Sequence, residues 1–195
     1  MTVSFRSVCR HVEVDQRNNK TFSQELRQLL MLACTEVEAG CKAVLRANGF
    51  SKKGHWNMWD YRKLARPMRL SEYTVQFAMY PSYPPIRPFG AWRSGARNLP
   101  WYTAYNAVKH DREEALSKAT FGNVVSALAG ALVITVAQFG PDAVGFSSRF
   151  GSLPLYSDDP EFRLFEFGSL PTWKARELYV PPHNGQEWKP LAHVF

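Results

Sequence analysis

Cysteine is scarce in this 195-residue chain: Cys9, Cys34 and Cys41 make up the whole set, and no CxxC pair occurs. An odd, sparse set excludes a disulfide framework and suits a reducing compartment, so a cytoplasmic setting is expected. Cys34 and Cys41 are seven apart, which on one helix is about 10 Å of rise and too far for a bridge. Buried apolar thiols are the simplest reading. The five histidines have no ligand-like spacing to one another, so no metal site is expected. No glycine-rich phosphate loop and no Gly-x-Ser-x-Gly elbow occurs, and no cofactor is expected. The first fifteen residues carry Arg6, Arg10 and Glu13 where a secretory signal needs an apolar stretch, so none is expected.

Proline is missing from residues 1–66 and 101–140, although the chain holds 13 of them. Those stretches are where long helices can run. The spacing predicts a helix over 23–48, capped by Thr21 or Ser23 and stopped at Asn48-Gly49. Leu26, Leu30, Ala33, Val37, Cys41 and Val44 form its apolar stripe. A second helix is expected over 100–117, opened by Pro100 at its favoured first position. A third is expected over 121–138, and shorter ones over 3–13, where an alternating strand is the other reading, and 58–65. Charge is absent from 119–141, a length that would permit a membrane span. Thr120, Gly122, Asn123, Ser126, Gly130, Thr135 and Gln138 interrupt it, so the reading is a buried core helix and no membrane. Gly122, Ser126 and Gly130 recur every four residues and would let a neighbour approach closely.

Residues 72–80 alternate like a strand. Seven prolines follow position 140, with short strand patterns at 162–167 and 176–180. The expected fold is therefore mainly α: an up-and-down helical bundle over 1–140, with a basic, aromatic and proline-rich insertion at 51–99. A small β-hairpin appendage is expected in a C-terminal extension, 141–195.

Acidic residues are thin in one quarter of the chain. The net charge is +7. Lys52, Lys53, Arg62, Lys63, Arg66, Arg69, Arg87, Arg93 and Arg97 face only Asp60 and Glu72 in their segment, which thus carries the whole imbalance. Such clustering is the footprint of a polyanion binder, or of a basic solvated surface. Trp56, Trp59 and Tyr61 are interleaved with these cations. The rings suit packing or base stacking, and the charged heads suit solvent or phosphate.

Asn106 and His110 are four apart on the 100–117 helix and share a face. In the first long helix Glu36 sits among small apolar residues, where a carboxylate needs a partner. The expectation is that Asn106 and His110 turn toward Glu36. Glu38 has Lys42 at i+4 and can pair with it.

The segment Tyr105-Asn-Ala-Val-Lys-His-Asp-Arg112, with residues 21–45 before it and a small-residue helix after it, resembles the HEPN superfamily over roughly residues 20–140. That resemblance implies a helical bundle, usually dimeric, and in many members a metal-independent ribonuclease of bacterial or phage conflict systems. The family motif is an Arg, four to six residues, then a His, with a polar residue often following the Arg. His110 matches the His and Asn106 the polar residue, while Thr103, Ala104 and Tyr105 occupy the positions open to the Arg.

The resemblance assigns His110 to proton transfer and Asn106 to orienting the imidazole or the phosphate, and Glu36 joins them as the carboxylate in need of a polar partner. Lys109, Arg112, Arg62, Lys63, Arg66 and Arg97 are the candidates for RNA phosphates. A weak ribonuclease, a degenerate RNA binder and a non-enzymatic homodimeric interaction protein all remain open at this level.

Overall fold

The computed structural model describes residues 1–111, 113–140 and 164–173. The described residues form five helices: α1 (Thr2–Cys9), α2 (Gln24–Ala47), α3 (Met58–Arg62), α4 (Pro100–His110) and α5 (Phe121–Phe139). Two strands, β1 (Thr74–Phe77) and β2 (Phe165–Ser169), pair antiparallel. The protein is a mainly helical bundle with one small antiparallel β element.

Local chemistry sets the helix ends. The Ser23 hydroxyl accepts from the Leu26 N–H at 3.2 Å and opens α2. At the other end Phe50 N–H reaches back to the Leu45 carbonyl and Gly49 N–H to Arg46, with Gly49 at φ 79°. This glycine-closed turn throws Phe50 off the helix axis. Thr120 caps α5 by accepting from Asn123 N–H at 3.3 Å.

α4 stops at His110, seven residues or about two turns short of the sequence expectation. Asp111 takes an extended backbone (φ −134°, ψ 99°), and its side chain accepts from Glu114 N–H at 3.1 Å. Asp111, Glu113 and Glu114 would also bring negative charge to a helix C-terminus that repels it.

α2 and α5 run side by side in the same direction. Phe22 and Thr120, just before the two helices, form a β-bridge, and further along Gln138 Nε2 donates to the Gly40 carbonyl at 3.1 Å. α4 returns in the opposite sense against both of them, with Tyr102 on Glu38 of α2 and Trp101 beside Gly130 of α5, giving the up-down-up order. A Cβ on Gly40 would lie 2.6 Å from Ile134 Cγ2, so the α2–α5 contact is as close as a glycine allows. Gly130 serves α4 in the same way: a Cβ there would meet Trp101 at 3.3 Å. α5 is long and apolar enough to cross a membrane by length and composition. In the fold its apolarity is used internally, with Val124, Val125, Leu128, Leu132, Val133 and Ile134 buried.

The β element joins distant parts of the chain. Val75 pairs with Phe167 and Phe77 with Phe165, so the partner of the C-terminal strand lies in the 51–99 insertion. The second C-terminal strand expected at 176–180 lies outside the described residues. Phe77, Phe165, Phe5, Tyr83 and Phe121 bring their rings together and fasten this ribbon and α1 to the start of α5.

Candidate nucleic-acid interface

α3 is a single turn, and its capping box fixes which way it faces. Asn57 Oδ1 accepts from Trp59 N–H at 2.9 Å, while Asp60 Oδ2 accepts from Asn57 N–H at 2.8 Å. The same Asp60 carboxylate pairs with Lys52 Nζ at 2.7 Å. Burial alone would raise the Asp60 pKa; the Lys52 ammonium and the Asn57 N–H outweigh it and hold the carboxyl below its usual range. The negative charge in the middle of the basic segment is thereby neutralised, and Trp59 is left 47% exposed.

Cations gather on the aromatic rings around it. The Arg97 guanidinium lies 4.6 Å and that of Arg62 5.8 Å from the centre of the Trp59 ring. Lys63 Nζ stands 4.0 Å over Phe50, and the Arg46 guanidinium 5.6 Å over Trp56. Phe50 and Trp56 meet edge to face at 5.4 Å. Two tryptophans and a phenylalanine thus carry four cations between them, a surface able to take both bases and phosphates.

The other basic residues of the segment divide. Arg66 is exposed in the turn after α3. Arg87 bonds Thr74 at 3.2 Å, and Arg69 bonds the Thr172 carbonyl beside the Trp173 ring, so both are drawn to the β element. Arg46 belongs to the face although it lies outside the segment that charge counting selected.

Beneath the face lies a buried tyrosine cluster. Tyr61, on the inner side of α3, packs edge to face on Tyr102 of α4 at 6.4 Å. Tyr102 Oη donates to Glu38 at 2.6 Å, and Lys42 Nζ pairs with the same carboxylate at 3.3 Å. Burial first, and then the Glu38 charge, push the Tyr61 and Tyr102 hydroxyls far above the usual tyrosine range. Cys34 and Cys41 are buried nearby, and burial raises their thiols strongly.

The motif residues stand apart from this arrangement. His110 is exposed at the last turn of α4, and Asn106 is half-buried. Glu36 is exposed, and among the described residues no hydrogen bond joins it to Asn106 or His110. Glu36 and Glu38 are two residues apart and hence about 200° apart around the helix. α4 packs on the Glu38 side, so Glu38 is the carboxylate of α2 that meets it. Lys109 folds back to donate to Tyr105 Oη at 3.2 Å, a contact that raises its pKa. Arg112 lies outside the described residues.

Nor is the motif next to the basic face. Arg97 lies just before Pro100 at the start of α4, and His110 ends the same helix, about 15 Å along its axis.

Comparison with known families, with curated proteins and with solved structures finds no match. The HEPN resemblance therefore rests on the residues quoted for it. Among the described residues no three or more His, Cys, Asp or Glu side chains are grouped to hold a metal ion. Sequence reasoning missed Arg46 and Phe50 as parts of the face, and Glu38 and Tyr102 as the polar centre below it. The usable signals were Arg46 in the last turn of α2, and the Asn57–Asp60 spacing of a capping box.

Proposed function

We propose that this chain is a non-catalytic binder of single-stranded RNA, and that the surface around Trp59, Phe50 and Trp56 is where the strand lies. The observation that carries this reading is the paired placement of Arg62 and Arg97 on the exposed Trp59 ring, with the neighbouring carboxylate of Asp60 already taken by Lys52. Aromatic rings edged with guanidinium groups suit unpaired bases, which stack on either, while the cations take the phosphates. The choice of RNA over DNA comes from the HEPN resemblance. The ribonuclease reading has less behind it: the His110 side chain has no hydrogen-bond partner among the described residues and stands about 15 Å along α4 from the end beside Arg97. The test is binding of single-stranded RNA across a salt series. Phosphate contacts make log K fall with log salt at roughly 0.7 per contact for single strands. Affinity that is strong and insensitive to salt, or absent at low salt, contradicts the proposal.

A further inference from the structure

A groove of about 500 Å³ opens beside this face, lined by Arg46, Gly49, Phe50, Ser51, Lys52 and Trp56. Its walls follow from the end of α2. The glycine-closed turn directs Phe50 sideways onto Trp56, and the Lys52–Asp60 pair ties the following loop back to α3. Gly49 has nothing within 4 Å of where a Cβ would be, and Ser51 is exposed, so the mouth stays open. Among the described residues no acidic side chain lines it. Arg46 offers a guanidinium plane beside the Trp56 ring, and Lys52 spends one of three donors on Asp60, leaving two.

Resting on the function proposed above, we infer that this groove is a subsite for one unpaired nucleotide of the bound strand. Its base stacks against the Arg46 guanidinium and the Trp56–Phe50 pair, and its phosphate meets Lys52 and Arg46. The volume falls within the roughly 300–1,000 Å³ of small-molecule sites. A paired base cannot leave its stack to enter without the cost of unpairing, so the groove selects single strands over duplex.

The experiment is competition for a labelled short single-stranded RNA, read by fluorescence anisotropy, with adenosine monophosphate and inorganic phosphate as competitors. Ser51→Glu and Arg46→Gln serve as groove variants, since both residues are exposed and their folding is checked by thermal melting. Adenosine monophosphate is expected to displace the RNA at a concentration roughly tenfold or more below inorganic phosphate, a difference of about 1.4 kcal/mol. Both variants should abolish that advantage.

If the two competitors act alike, or the variants leave the nucleotide's advantage intact while RNA still binds, the subsite is wrong and the binding face stands. If RNA does not bind at all, the face reading fails. Direct calorimetric titration with adenosine monophosphate then decides the groove alone, where absence of binding overturns it.

Discussion

Tyr102 Oη donates to the Glu38 carboxylate at 2.6 Å across the α2–α4 interface. The bond ties the first turn of α4 to α2, and the Tyr102 ring also seats Tyr61 and with it α3. Removing the hydroxyl leaves a largely buried carboxylate with Lys42 as its remaining partner. Tyr102→Phe is therefore expected to destabilise the protein by about 1–3 kcal/mol in urea denaturation. Tyr105→Phe is the control: its hydroxyl serves the exposed Lys109, and the loss should be about 1 kcal/mol or less.

The α2–α5 contact has no room for a methyl group at Gly40. Ile134 is β-branched and stiff in a helix, so its Cγ2 cannot swing away from an added Cβ. Gly40→Ala should cost about 1–3 kcal/mol despite the better helix propensity of alanine, and thermal melting should show a lower Tm. A Tm equal to or above the parent's would mean the helices stand further apart.

Asp60 links stability to pH. Its folded pKa is depressed, so its contribution is present above the ordinary aspartate value of 3.8 and lost as pH falls below that through the lower folded value. Asp60→Asn should be less stable than the parent at neutral pH by about 1–3 kcal/mol. The gap should close as the pH is taken well below 3.8. A gap independent of pH would mean that the Lys52 pair contributes nothing.

His110 lies outside the proposed binding face. His110→Ala should leave RNA affinity unchanged, and RNA incubated with the parent protein and a chelator should stay intact. Chelator-resistant cleavage that disappears in His110→Ala would restore the nuclease reading.

Much of the bundle is readable from local chemistry. Ser23 and Asn48-Gly49 bound α2, Thr120 opens α5, and the uncharged stretch lies in the core as its interrupted apolarity suggests. The end of α4 was not legible from periodicity, because Asp111 captures the backbone of Glu114 and stops a helix that its neighbours would otherwise extend. The pairing of β1 with β2 spans about ninety residues, and no local pattern chooses partners at that range.

For the site, composition identifies the cationic segment but not its arrangement. Which side of α2 receives α4 is a tertiary fact, and it decides that Glu38 rather than Glu36 faces inward. The direction of α4 is another, and it sends His110 away from Arg62, Lys63 and Arg97.

The most direct test of the central claim is the salt dependence of single-stranded RNA binding by the parent and by the triple variant Arg62→Glu, Lys63→Glu, Arg97→Glu. Those three cations meet the rings of Trp59 and Phe50. The account predicts weaker binding by the variant and a slope of log K against log salt that is shallower by roughly 2, the loss of three phosphate contacts. An unchanged affinity and slope in a variant that melts like the parent would contradict it.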